Sequence, residues 1–169
     1  IPVDTATCDP EGRFQIEFRP EQNAFYVLRT GGKGYITLLI EPGQQITLKG
    51  SYGQPDQYSL SGSRGSEELM ELSARHKKTL NELGDITRLV MEFRDLPDYP
   101  EKKMRLDLKF DSITTSFRDY SFEFITRHQE SLSILIALYN LYGQGLPVFD
   151  PVKDFQTYLF VDSLLQIHH

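Results

Sequence analysis

The hydrophobic period of this chain changes once, near Ser63, and that change constrains the fold more than any single motif. Upstream, apolar and polar residues alternate in short runs separated by Gly, Pro and Asn; downstream, apolar residues recur every three or four positions over long stretches. A period of two belongs to a strand with one buried face, and a period near 3.6 to an amphipathic helix. Strands first and helices second point to an α+β chain. It divides at the switch into an antiparallel β domain over 1–62 and a helical domain over 63–169.

In the first part, "GRFQIEFR" puts Phe14, Ile16 and Phe18 on one face and Arg13, Gln15, Glu17 and Arg19 on the other, as in a half-buried strand. "NAFYVLRT" and "YITLLI" read as the next strands, joined across "TGGKG". "QITLKG" is expected to pair back onto "YITLLI" through Glu41-Pro42-Gly43. There Pro42 presets φ for the first central position of a turn, and Gly43 supplies the positive φ that a type II turn needs at the second. A fifth strand, "DQYSLSG", completes an antiparallel β-meander or part of a β-sandwich. "DTATCDPEGRF" resembles the middle of a strand-turn-strand unit, so earlier strands are expected ahead of it.

In the second part, "GSRGSEELMEL" opens a helix with small polar residues that can cap and acidic residues that favour the N-terminal end of the macrodipole. Leu69, Leu72, His76, Leu80, Leu83, Ile86, Val90 and Phe93 then form one apolar stripe, which is expected to stop at "RDLPDYP". Leu106, Phe110, Ile113, Phe117, Tyr120, Phe124 and His128 form a second stripe. A short link between two long helices predicts an antiparallel αα-hairpin. A third helix, apolar nearly all round and expected to be the most buried, spans 132–142 behind a Ser131 cap. A fourth starts with Asp150 at the N-cap and Pro151 at the first position, with Phe155, Tyr158, Leu159 and Leu164 facing inward. The whole is a β region followed by a four-helix region built on a long helical hairpin.

Charge and cysteine content exclude several function classes. A net charge of −6 with a pI near 5.2 opposes nucleic-acid binding, which depends on clustered Lys and Arg. Hydrophobic residues at 39% and charged residues at 25% are those of a chain that folds. No apolar run approaches the length of a membrane span. Cys8, the sole cysteine, admits neither an internal disulfide nor a Cys-x-x-Cys pair, and reads as an ordinary side chain near a terminus. The chain opens on Ile1 without Met or a basic-then-apolar leader, as expected of a mature or trimmed product.

The remaining candidates for chemistry have simpler readings. "TGGKGYIT" is not a phosphate loop, because strands flank it and no Ser or Thr follows its Lys into a helix. His76 and His128 share no i, i+4 zinc spacing. An antiparallel hairpin puts His76 opposite Tyr120, about two helical turns from His128. His168 and His169 end the chain and read as native residues or the remnant of a purification tag. Asp107 with Asp111, and Glu67 with Glu71, are i, i+4 carboxylate pairs of the kind found on solvated helix faces, with Lys103, Arg105 and Lys109 as charge decoration. Tyr26, Tyr35, Tyr52 and Tyr58 are the only material for an aromatic sugar-binding platform in a chain with no Trp, and as strand residues they read more simply as packing. No catalytic, cofactor-binding or metal-ligating residue is assigned.

The order of the motifs carries more than any one of them. "VDTATCDPEGRFQIEF", "YVL", "LLIEPGQQITLKG", "YSLSGSRGSEELMEL", a helical hairpin and "FITRHQESLSILIALYNL" together resemble a module in envelope proteins of Bacteroides-type bacteria. That module, a domain of unknown function plus a helical segment, precedes the thioredoxin-like domain of thiol-disulfide oxidoreductases of the TlpA/ResA or AhpC/TSA type. The matching positions are Asp4-Thr5, Gly12 and Phe14, Glu41-Pro42-Gly43, Gly62-Ser63 and Ser131-Leu132, all of them turn, cap or strand signatures. Glu130 departs from the Pro common in the family, and the Cys-x-x-Cys domain is absent.

The resemblance implies a non-catalytic accessory module, cut before its redox domain, that positions or dimerises that domain or selects its clients. The implied partners are the thioredoxin-like domain of the same parent protein, protein clients and a second copy of the chain. The implied location is the periplasm or cell envelope, with the parent lipid-anchored or secreted. The rival readings are a stand-alone ligand- or glycan-binding β-module with a helical appendage, and an interaction protein with no redox link.

Overall fold

A computed structural model describes residues 2–29, 34–51, 54–143 and 145–169, without the side chains of 54–56. The chain is α+β and forms two compact units, Ile1–Ser63 and Arg64–His169.

In the first unit, β1 (Ala24–Arg29) pairs antiparallel with β2 (Tyr35–Ile40), in register from Ala24 opposite Ile40 to Arg29 opposite Tyr35. β3 (Thr47–Ser51) pairs antiparallel with β4 (Gln54–Ser61), from Thr47 opposite Ser61 to Gly50 opposite Tyr58. Among the described residues these are two separate two-stranded sheets, which corrects the expectation of a meander or sandwich. The predicted pairing of β3 with β2 is also corrected. The Glu41-Pro42-Gly43 turn does form: Gln44 N–H donates to the Glu41 carbonyl at 3.3 Å, and Gly43 has φ +82°. A turn of this hand splays the flanking strands, whereas a tight hairpin needs the primed types whose twist matches its strands. The turn therefore passes the chain from one sheet to the other.

The next contact in this unit explains the second glycine. Gly62, at φ +95° after β4, lies so close to the backbone of Gln45 and Ile46 that a Cβ there would sit 2.0 Å from the Gln45 carbonyl oxygen. Ser63 Oγ–H donates to the Leu39 carbonyl at 2.7 Å, tying the end of the unit back to β2. The strand expected over 12–19 has no ladder partner among the described residues. Its alternation survives in weaker form: Ile16 and Phe18 are half-buried, Phe14 is exposed, and the Phe18 ring lies 4.8 Å from that of Tyr26. The 30–33 part of the "TGGKG" connection and Tyr52 lie outside the described residues.

The second unit begins with α1 (Arg64–Phe93) and α2 (Tyr99–Arg127), packed as an antiparallel hairpin. Leu83 and Ile86, late in α1, cluster with Leu106, early in α2. Pro100 sits in the first turn of α2, where its missing N–H costs no hydrogen bond, so it starts a helix rather than ending one.

α3 (Ser133–Tyr139) is shorter than the expected 132–142. At Asn140 the chain turns to extended backbone, and Tyr142 N–H donates to Leu146 O at 2.8 Å and Val148 N–H to Asn140 O at 3.0 Å. Ile134, Ala137 and Leu138 are buried as expected, but Tyr139 points to solvent.

Asp150 accepts from Val152 N–H and Lys153 N–H at 2.9 and 3.0 Å, capping a turn that leads into α4 (Phe155–His168). Regular helix therefore begins after that turn instead of at Pro151. Val161 and Leu164 face the core, whereas Phe155 and Leu159, predicted to face inward, are exposed. The core they miss is continuous: Phe117, Phe124, Phe149, Ile134, Ala137 and Val161 are all essentially inaccessible.

Candidate functional site

Two polar clusters sit on the α1–α2 hairpin, and the register of that hairpin creates both. Near the start of α1, Glu68 lies on the apolar stripe four residues before Leu72 and is only 6% exposed. An isolated buried carboxylate would be costly, so its oxygens must be served. Ser133 Oγ–H donates to Oε2 at 2.7 Å, and Arg64 Nε–H donates to Oε1 at 3.0 Å. Burial pushes the Glu68 carboxyl up, but hydrogen bonds from Ser131 and Ser133 and the charges of His128 and Arg64 outweigh it and hold the group below its ordinary value.

His128, just past the end of α2, places Nδ1 3.0 Å from Glu68 Oε1, but neither ring nitrogen has an aligned hydrogen-bond partner. The contact is therefore electrostatic rather than a well-directed hydrogen bond. In this cluster the acid stands between the hydroxyl and the imidazole. An acyl-transfer relay needs the imidazole in the middle, so the arrangement braces α1, α2 and α3 and does not activate Ser133.

The second cluster is one turn further along α1. Tyr120 Oη–H donates to Glu71 Oε1 at 3.0 Å, and Arg127 Nη2 donates to the same oxygen at 2.7 Å. Arg75 bonds Ser116 Oγ at 3.0 Å and holds its guanidinium 5.7 Å from the centre of the Tyr120 ring. Burial, then the Glu71 carboxylate, push the Tyr120 phenol up to about 12. A phenol so shifted stays protonated at neutral pH and is no base or nucleophile there. Beside it, Arg75, Ser116 and Tyr120 with Asp111, Asp119 and Glu123 line an open groove of about 630 Å³.

The residues singled out from sequence are distributed rather than assembled. His76 stacks on Phe117 at 5.1 Å, and its Nε2 lies 2.8 Å from the Leu141 carbonyl oxygen, which can only accept, so that nitrogen carries the proton. Glu71 has left the solvated pair proposed with Glu67 and joins Tyr120 and Arg127. Asp107 is paired with Lys103 at 2.5 Å, while Asp111 faces the groove. Cys8 is a free, exposed thiol.

Among the described residues Tyr26, Tyr35 and Tyr58 do not share one sheet face. Tyr26 stands opposite Leu38 and Tyr35 opposite Arg29, so alternation puts them on opposite faces of the β1–β2 sheet, and Tyr58 belongs to the other sheet. Sequence reasoning missed Glu68, reading it as first-turn charge. The available signal was its position on the Leu69–Leu72 stripe.

Among the described residues no three His, Cys, Asp or Glu side chains converge to hold a metal ion, and no helix is long and apolar enough to cross a membrane. No family model, curated protein or solved structure matches the chain.

Proposed function

We propose that this chain is a non-catalytic accessory module of a thioredoxin-like thiol-disulfide oxidoreductase of the periplasm or cell envelope, and that it positions the redox domain, dimerises it or selects its clients. The observation that carries the reading is the order of turn, cap and strand signatures along the chain. Their places in the fold support it: Gly43 makes a turn, Gly62 permits a close backbone approach, and Ser131 Oγ accepts from Ser133 N–H at 3.2 Å at the start of α3. These are architectural duties, the kind a module shares when its sequence signature is not a catalytic one.

A second observation bears on docking. Phe155 and Leu159 lie four apart on α4 and are 53% and 47% exposed, with Val152 also exposed just ahead of them. Contiguous apolar side chains on one helix face are a common feature of interaction surfaces. With one thiol and no dithiol, the chain lacks the pair that catalytic disulfide exchange requires.

The test is the reading frame beyond His169. A following domain of about 150 residues with a strand-helix pattern and Cys-x-x-Cys is expected; a stop codon or an unrelated domain removes the redox link and leaves an interaction protein.

A further inference from the structure

The segment Phe14–Arg19 is a strand edge without a neighbour. The turn ahead of it is that of a three-residue hairpin loop. Asp9 N–H donates to the Arg13 carbonyl and Gly12 N–H to the Asp9 carbonyl, both at 2.9 Å, and Gly12 takes φ +80°. Such a turn sends out two arms as a strand pair, yet here the pairing stops at Arg13. Among the described residues no backbone N–H or carbonyl from Phe14 to Arg19 makes a hydrogen bond. The side chains nevertheless keep a strand's alternation, with Ile16 and Phe18 half-buried and Gln15, Glu17 and Arg19 exposed. A row of unpaired backbone groups with that pattern is a template for an added strand.

The segment is also complementary to itself. In an antiparallel pair, residues directly opposite share a face. Two copies therefore keep Phe14, Ile16 and Phe18 on one face when the two-fold axis passes through a residue rather than between two. Centred on Gln15, the ladder sets Arg13 opposite Glu17 and Phe14 opposite Ile16, each pair occurring twice. Centred on Ile16 it sets Arg13 against Arg19, and centred on Glu17 it sets that carboxylate against its own copy. Centred on Phe18 it brings Pro20, which has no N–H, into the ladder opposite Ile16. Opposite charges across a ladder favour pairing and like charges oppose it, so the Gln15 register is preferred. Within one chain Arg13 is paired with Asp9 and Glu11, but its side chain is 75% exposed and such pairs hold it weakly.

We propose that this segment is a self-pairing strand: its occupant is the same segment of a second copy of the chain, antiparallel and centred on Gln15. The pairing gives the unused backbone groups their partners and brings the Phe14 and Ile16 side chains of the two copies together on one face. It supplies a surface for the dimerising role proposed above but stands on this segment alone. Its failure would leave the redox reading to the sequence beyond His169.

Sedimentation equilibrium of the full chain, from micromolar to millimolar concentration, tests it. The mass should rise from 19.5 kDa towards twice that value. Ile16→Pro removes an N–H from the middle of the ladder and should hold the chain at the monomer mass. Its far-ultraviolet circular dichroism should match the wild type, because that N–H bonds nothing within one chain. Arg13→Glu and Glu17→Arg each place like charges opposite one another twice, and each should raise the dissociation constant about tenfold. An equal mixture of these two variants should recover the wild-type affinity, because every cross-strand pair in the mixed dimer then joins opposite charges. A monomer at every concentration, a dimer that persists in Ile16→Pro, single charge variants that associate like the wild type, or a mixture no tighter than its components would each overturn the proposal.

Discussion

The helical unit and the β unit spend their hydrogen bonds differently. In Arg64–His169 the long elements α1 and α2 satisfy their backbones within themselves, and their stripes close over Phe117, Phe124 and Ile125, all inaccessible to solvent. In Ile1–Ser63 each strand depends on one other strand, and what fixes the arrangement is a handful of specific contacts such as Gly62 against Gln45 and Ser63 on Leu39. Stability in the helical unit comes from distributed burial, and in the β unit from a few positions that admit little substitution.

The first way to break this contrast is to open the helical core. Phe124→Ala should lower the unfolding free energy of the helical unit by about 3–5 kcal/mol, read by urea denaturation; a loss below about 1 kcal/mol would mean that the core is not closed around it. Next comes Gly62→Ala, expected to cost about 3 kcal/mol because it combines positive-φ strain with a clash against backbone. Its comparison is Gly43→Ala, where φ is also positive but nothing lies within 4 Å of the added carbon, so the cost should be nearer 1 kcal/mol. Equal losses at the two glycines would show that the close approach at Gly62 contributes nothing.

Glu68→Ala should cost about 2 kcal/mol by leaving Ser133 and its neighbours without their acceptor. The pH dependence of this carboxylate has a definite sign. Its folded value is lowered, so the unfolded chain binds the proton more readily. The stabilisation is complete above the ordinary glutamate range and is lost as pH falls through the folded value. The stability gap between wild type and Glu68→Gln should therefore shrink on acidification from pH 6 to pH 3, and a gap that widens would reverse the assignment. The smallest effect is expected at the exposed face of α4: Phe155→Ser with Leu159→Ser should change stability by no more than about 0.5 kcal/mol while weakening association with the proposed partner in a pull-down.

The same contrast explains what could be read from sequence. Helices α1 and α2 were legible because their bonds link residues four apart, so Leu72, Leu83 and Leu106 announce their face locally. Strand segments were legible as segments, but their partners were not: nothing near Ile46 tells β3 to choose β4 over β2, since pairing is a choice among distant residues. The inner face of α4 failed for a related reason. Phe155 and Leu159 are as apolar as Val161 and Leu164, and only the position of the helix against Phe149 and α3 decides which pair is covered.

The Glu68 cluster was partly within reach. The register that sets His76 opposite Tyr120, carried eight residues back along α1 and eight forward along α2, brings Glu68 to His128. The register also landed His76 on Phe117, one turn from the expected Tyr120, a slip that side-chain packing makes and periodicity does not resolve. Ser133 joining the carboxylate could not be read, because it depends on where α3 docks.

A module of the proposed kind does no redox catalysis of its own. Reduction of a small disulfide by dithiothreitol, measured with and without the chain, should proceed at the same rate in both cases, and replacing Cys8 by serine should change nothing. Multiple turnovers accelerated by the wild-type chain and lost in Cys8→Ser would contradict it.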